Sequence, residues 1–375
     1  MNRRTFVGLI AGAAVYPTIK WSTEARGESK SFDVARMLEV TRVPGVAVAG
    51  MKDEGPYQLL AGVERVGGPP VTHRTRFPAA SLSKPVFTWA VQNLRKQGKI
   101  DFNRPLQDYV DLGLEGPARK ITALHVLTHS TGLPNWRFQP YTRLASVFEP
   151  GTKWQYSGEG FVLLQRVVEK IVGQPIAEYM RTAVLEPLGM TQSTFAWTPE
   201  IQSVAALGHD RQGALLEKSV AFFEQRNYDT LQKSSLNPAS ATYEQIVAAY
   251  QKLSQPFLPV GLSPNVAGSL HTTVGDYAAF LVHVLKAVTR SDDFKAQVDV
   301  NRDIAWAPGW GVDRSTKTPS LFHWGDTPGF KNFCWVQPAR KSALVFFTNA
   351  DSGAALYAWL FRQIMDHDLS AFYWL

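Results

Sequence analysis

Strand-like segments stand at both ends of this chain of 375 residues, with a long helical middle between them, and no other feature constrains its fold so strongly. Residues 43–51 and 57–66 are rich in Val, Ala and Leu, and Gly55-Pro56 interrupts them as a hairpin turn does. Strand character returns at 320–349, in Leu321-Phe322-His323-Trp324, Asn332 to Val336 and Ala343 to Thr348, ahead of a closing helix over 354–364. Between the two blocks, apolar residues recur at helical spacing in 123–127, 161–172, 176–183, 243–253 and 275–285. Strands at both ends of a helical middle predict one sheet assembled from distant chain segments, an α+β architecture. Its sheet lobe takes about residues 30–76 and 287–375, and its helical lobe about 77–286. The stretch 201–264 is polar and irregular and yields no clear pattern.

Within the helical middle, Ser81-Leu82-Ser83-Lys84 places a hydroxyl and an amine three residues apart. On a helix such positions share a face, so the amine can reach the hydroxyl. A Ser-x-x-Lys arises about once by chance in a chain of this length, so its setting must give it weight. Val86, Phe87, Ala90, Val91 and Leu94 follow with the 3- and 4-residue spacing of a buried helix face. Arg95, Lys96 and Gly98 suit the helix end. Pro85 is tolerated only in a first turn, so the helix starts near Ser81 or Ser83. There the outward N–H groups favour developing negative charge at Ser81. On the motif alone, a surface N-cap serine followed by a solvated lysine stays open.

Hydrophobic content of 45% and charged content of 19% describe an ordinary globular protein, long enough for one large domain or two lobes. The single cysteine, Cys334, lies in the apolar run Phe333 to Val336 and reads as a buried thiol; it excludes an intramolecular disulfide and a cysteine-rich metal site. Asn2-Arg3-Arg4-Thr5-Phe6-Val7, followed by a short apolar region to Tyr16, resembles a twin-arginine export signal over residues 1–26, its cleavage site open. The expectation is an exported protein, periplasmic or extracellular, with no stable membrane span after processing. Residues 1–26 hold four positive side chains against Glu24, so their loss takes the net charge from +7 to +4. No basic run remains, which argues against nucleic acid as a partner.

A series of motifs in order along residues 33–365 resembles the class C β-lactamase-like, penicillin-binding serine hydrolases, a family of β-lactamases, D-amino-acid peptidases and esterases. Ser81-Leu82-Ser83-Lys84 matches its Ser-x-x-Lys. Leu127-Thr128-His129-Ser130-Thr131-Gly132-Leu133-Pro134 is similar to its Leu-Thr-His-Thr-Ser-Gly-Leu-Pro loop. Tyr156-Ser157-Gly158 stands where the family has Tyr-x-Asn, and His323-Trp324-Gly325 where it has Lys-Thr-Gly or His-Thr-Gly. Weaker echoes are Ala267 to Leu270, Pro308 to Gly311, Thr327 to Phe330 and Thr348 to Asp351. The resemblance implies the β-lactamase/transpeptidase-like fold for residues 30–375, with helices flanking an antiparallel sheet.

It further implies acyl transfer without a cofactor. Ser81 would be the nucleophile and Lys84 its base, provided the amine is neutral. Tyr156 would carry the proton onward to the leaving group and later activate water. Backbone N–H groups of Ser81 and Asp326 would form the oxyanion hole. Gly158, His323, Trp324 and Gly325 would border the substrate, a small ester, amide or peptide-like molecule. The departures narrow that class. Gly158 stands for an asparagine, His323 for a charged lysine and Trp324 for a threonine hydroxyl, while Asp326 adds a negative charge. Donors and cationic charge are thereby removed from where a substrate carboxylate would sit, and burying a carboxylate without a partner is costly. The expectation is an esterase-like hydrolase for neutral acyl groups held by aromatics such as Trp136 and Trp324. A β-lactamase or D-amino-acid peptidase, and a sensor that binds penicillin or cell-wall peptides without turnover, stay open as alternatives.

His125 and His129 have the i, i+4 spacing of a shared metal ligand pair, but no glutamate follows as a zinc hydrolase requires, and no metal is expected. No Gly-x-Ser-x-Gly occurs, which leaves an α/β-hydrolase elbow unsupported. Glu159 reads as a solvent-exposed helix residue, with influence on a hydrolytic water as the rival reading. Asn349 is a candidate to approach the site from the last strand.

Overall fold

A computed structural model describes residues 32–137, 144–257 and 259–374; the export-signal reading of residues 1–26 lies outside them. Ten strands occur among the described residues, in chain order: β1 (Gly45–Lys52), β2 (Gly55–Gly62), β3 (Phe77–Pro78), β4 (His271–Thr272), β5 (Val298–Asp299), β6 (Ile304–Ala307), β7 (Trp310–Asp313), β8 (Ser320–Thr327), β9 (Phe330–Gln337) and β10 (Ser342–Thr348). Eight of them form one antiparallel sheet in the order β2-β1-β10-β9-β8-β7-β6-β5. The N-terminal hairpin is stitched to the last strand, Val46 opposite Thr348 and Met51 opposite Ala343. This is the α+β sheet that the strand blocks predict, in the β-lactamase/transpeptidase-like form that the family resemblance implies.

The period of two decides which side chain meets which layer. Ala47, Ala49, Ala343, Val345 and Phe347 join the core under the helical lobe, whereas Val46, Val48, Leu344 and Phe346 join the core on the opposite face. Both faces are covered, so β10 is buried along its whole length and reads as an unbroken apolar run. Strands β5, β6 and β7, absent from the sequence reading, have only two to four residues each, too few to show alternation.

The helices are α1 (Val34–Thr41), α2 (Ser83–Lys96), α3 (Ala123–Leu127), α4 (Gly158–Val172), α5 (Ile176–Met180), α6 (Pro199–Val204), α7 (Val220–Gln232), α8 (Tyr243–Lys252), α9 (Val274–Ala287), α10 (Gly353–Met365) and α11 (Ala371–Trp374). None of the described helices is long and apolar enough to cross a membrane. The unread stretch 201–264 contains α7, whose buried face carries Glu224, Asn227, Thr230 and Leu231. Hydrophobic periodicity is blind to such a face, because polar partners hold it. Glu224 meets His271 Nε2 at 2.6 Å, Asn227 Nδ2 donates to Ser263 O at 2.8 Å, and Tyr250 Oη donates to Asn227 Oδ1 at 2.8 Å.

Candidate active site

The turn before α2 is held from several sides. Ala80 has φ 50°, a left-handed backbone that a residue with a Cβ adopts only when its surroundings impose it. Ser83 imposes it from within: its Oγ donates to Ala80 O at 2.6 Å and accepts from Leu270 N at 3.0 Å. Ala79 N donates to Leu270 O at 2.7 Å, and Asn332 Nδ2 donates to Pro78 O at 2.9 Å. Of the two serines in the motif, Ser83 is therefore the fully buried clamp and Ser81 the partly accessible hydroxyl.

Lys84 lies one helical turn on and is fully buried. Its Nζ sits 2.9 Å from Ser81 Oγ and donates to Ala267 O at 2.8 Å. Burial pulls its pKa down to about 7. When the amine is neutral, one N–H stays on Ala267 and the lone pair is free to face the Ser81 hydroxyl.

Tyr156 enters from the segment preceding α4, and its ring centroid is 4.9 Å from Lys84 Nζ. Its hydroxyl is enclosed. Burial raises the phenol's pKa well above its ordinary value, against a smaller opposite pull from the Ser81 hydroxyl. No hydrogen bond of normal geometry closes between them in the resting site. The three groups read from the sequence as nucleophile, base and proton carrier thus share one site.

Behind Tyr156 stand two buried imidazoles. His129, with φ 52°, stacks on the Tyr156 ring at 4.1 Å, and its Nδ1 accepts from Ser157 N at 3.1 Å. His323 Nδ1 lies 2.8 Å from Trp324 O, which fixes that nitrogen as the protonated one. Burial, then the nearby Lys84, pushes His323 down to about 3 and His129 well below its usual range. Both rings are neutral. His129 is thus turned away from His125, which lies in α3 and closes a capping box with Thr122, so the two do not form a helical ligand pair.

The proposed oxyanion edge is set by close packing. A Cβ on Gly325 would fall 2.3 Å from Ala79 O, so only glycine lets β8 lie against the turn that carries Ser81. Strand β8 pairs with β7 only as far as Phe322, which leaves Trp324 to Thr327 unpaired on that side, with the Asp326 backbone among them. The Asp326 side chain is exposed and ion-paired with Lys331, which also lies 3.6 Å from Asp351. The extra negative charge read from the sequence therefore has a cationic neighbour there.

Gly158 starts α4 directly under Trp136. A Cβ at this position would come within 2.4 Å of the indole, so the tryptophan fills the space an asparagine side chain would need. Two sequence expectations need correction. Glu159 is not solvent-exposed: it is fully buried, accepts from Arg137 N at 2.9 Å and pairs with the Arg137 guanidinium at 3.1 Å. Burial raises its pKa, while those Arg137 contacts oppose the rise. Asn349 does not offer its amide to the site. Its side chain accepts from Gly45 N at 2.7 Å and donates to Val63 O and Glu64 O at 3.0 and 2.9 Å, which ties β1 to the end of β10.

Sequence reasoning missed an aromatic cluster around Tyr156: Trp154, Trp306, Trp324 and Trp374 each lie within 5.8 Å of one or more of the others, centroid to centroid. Each is distant in sequence from the next, and only Trp324 sits in a recognisable motif.

A serine-bearing turn packed against strand β8 of an antiparallel sheet, with a lysine buried three residues on in the helix that follows, defines the β-lactamase/transpeptidase-like class. The chain belongs to the Beta-lactamase family, whose model matches residues 33–367. It is 30% identical over 213 residues to Esterase EstB of Burkholderia gladioli, covering 48% of this chain and 54% of that protein. It is also 30% identical over 145 residues to Penicillin-binding protein 4* of Bacillus subtilis (strain 168), covering 33% of this chain and 31% of that protein. The chain thus spans about half or less of the length of these relatives. Among solved structures, the octameric penicillin-binding protein homologue from Pyrococcus abyssi superposes with a TM-score of 0.68 at 19% identity, covering 91% of this chain and 78% of that one.

Proposed function

We propose that this protein is a serine hydrolase that forms an acyl-enzyme on Ser81 and acts on esters, or amides, whose acyl part carries no free carboxylate. The observation that carries this reading is the pairing of a buried Lys84 amine, held near pKa 7, with the Ser81 hydroxyl at 2.9 Å. Neutral Lys84 takes the Ser81 proton as Oγ bonds to the carbonyl carbon. The oxyanion is met by the backbone N–H groups of Ser81 and Asp326. As the carbon–leaving-group bond breaks, the proton returns to the departing oxygen. Tyr156 is suited to deliver it, because a phenol with a raised pKa stays protonated. Water then attacks the acyl carbon, its proton passing to neutral Lys84, and the carbon–Oγ bond breaks as Ser81 Oγ takes that proton back.

The substrate class follows from charge. His323 is neutral and Gly158 has no side chain, so neither gives a carboxylate the donor or cation it would need. The name of one relative, Esterase EstB, points the same way. Export in a folded state, on the basis of the Arg3-Arg4 signal, belongs to the same reading and places the enzyme outside the cytoplasm.

Steady-state kinetics with p-nitrophenyl butyrate and nitrocefin test it. The expected result is a kcat/KM for the ester well above that for the β-lactam. Faster turnover of nitrocefin would assign the protein to the β-lactamases instead. Stoichiometric acylation by penicillin with no release would favour the sensor reading, which the resemblance to Penicillin-binding protein 4* keeps in view.

A further inference from the structure

Trp374 lies in α11, far along the chain from the Ser-x-x-Lys turn, yet its indole joins the rings that surround Tyr156. It meets Trp324 at 5.5 Å between centroids and 85° between planes, and Trp154 at 5.3 Å and 65°. Such edge-to-face contacts are a favoured geometry for aromatic pairs. Trp324 in turn lies 5.2 Å from the Tyr156 ring, and Trp154 lies 6.4 Å from it. An unbroken run of aromatic rings therefore leads from α11 to the candidate proton carrier.

Two observations separate this run from ordinary core. Tyr156, Trp154, Trp324 and Trp374 are each only partly buried, so each keeps an edge toward solvent, whereas Trp306 beneath them is fully buried. The helix that brings Trp374 is also anchored independently of it. Ala371 N donates to the buried Asp313 Oδ2 at 3.0 Å, and Phe372 packs on Phe333 at 4.8 Å and Phe361 at 5.3 Å. These contacts hold α11 in addition to those of Trp374 itself, whose indole also meets the buried Trp306 and Phe322 at 6.3 Å each. The indole is presented toward the site by a helix that other contacts also fix.

We infer that Trp154, Trp324 and Trp374 form a subsite that takes an apolar group of the substrate, a long alkyl chain or an aromatic ring, and that α11 is thus part of the substrate site. This rests on the hydrolase reading above. None of the three side chains is ionisable, and Asp326, two residues on from Trp324, is paired with Lys331. Flat apolar faces with no charge suit apolar groups and penalise ionised ones.

The test uses two fluorophosphonates that label Ser81, one with an ethyl and one with a dodecyl ester, and compares second-order inactivation rates. Wild type should react at least tenfold faster with the dodecyl probe. Trp374→Ala should lose at least fivefold of that preference while its ethyl rate stays within twofold, and Trp374→Phe should keep most of it. Trp154→Ala, on a different segment, should shift the preference in the same direction, and it decides the matter should Trp374→Ala fail to fold. The inference is overturned if wild type shows no preference, if the variants keep the full preference, or if they lose both rates equally. Labelling needs no turnover. Dodecyl preference without ester hydrolysis would therefore contradict the proposed function and leave this subsite standing, whereas a wild type that neither probe labels contradicts both.

Discussion

Trp136 occupies the space that any side chain at position 158 would need, its indole 2.4 Å from where a Cβ of residue 158 would stand. The glycine and the tryptophan are therefore one feature. Gly158→Asn should destabilise the fold by about 1–3 kcal/mol through overpacking. In the Trp136→Ala background the same change should cost much less, because the clash is gone. A double-mutant cycle by thermal denaturation checks this, and additive effects would show the two positions to be independent.

Tyr156 acts as an acid in this account, and the leaving group reveals it. Tyr156→Phe keeps the stack on His129 and the contact with Trp324 but removes the proton. Hydrolysis of an alkyl ester should fall by roughly 10²–10⁴-fold, the usual range for a positioned acid. A p-nitrophenyl ester should suffer far less, since its phenolate departs without a proton. Equal losses on both would assign Tyr156 another role.

Much of this site was legible because acyl transfer uses short, local motifs. Ser81 and Lys84 share one helical turn, and Tyr156, His323 and Gly325 sit in segments with a recognisable pattern. What stayed hidden depends on contacts between distant segments. Glu159 looks like a surface residue until Arg137 is brought over it, and Asn349 resembles a site residue until Gly45 and Val63 claim its amide. Trp374 carries no local signal at all. In the fold, β8 to β10 were readable as long apolar runs, whereas β5 to β7 were too short and α7 presents a polar buried face.

Lys84 should cost stability in proportion to its use. An unfolded lysine binds its proton up to about pH 10.5, whereas folded Lys84 releases it near 7. Between those values the unfolded state holds the extra proton, so stability rises with pH across this window and is lowest below pH 7. The deficit near neutrality is on the order of 5 kcal/mol for a shift of this size. Lys84→Met should therefore raise Tm at pH 7, even after losing the hydrogen bond to Ala267 O, which is worth about 1–3 kcal/mol if left unmade. It should also flatten the rise between pH 7 and 10. A lower Tm at pH 7 would mean that the amine is not strained by burial.

Restoring the family's cation should be costly for a related reason. His323→Lys places a second amine in a fully buried position that already feels Lys84. A loss of several kcal/mol in stability is expected, or a lysine that stays neutral. His323→Gln, neutral and able to donate to Trp324 O, should remain close to wild type in a denaturant titration. If His323→Lys were equally stable and gained activity on carboxylate-bearing β-lactams, the site would be more tolerant of charge than its burial implies.

The pH dependence of Ser81 labelling by a small fluorophosphonate tests the pairing of Ser81 with a neutral Lys84 most directly. The rate should climb about tenfold per unit below pH 7, bend near 7 where Lys84 gives up its proton, and stay level to pH 9. Intact mass should show one adduct, absent from Ser81→Ala and slowed by orders of magnitude in Lys84→Met. A rate that rises without a bend to pH 9, or an adduct that persists in Ser81→Ala, would contradict the account.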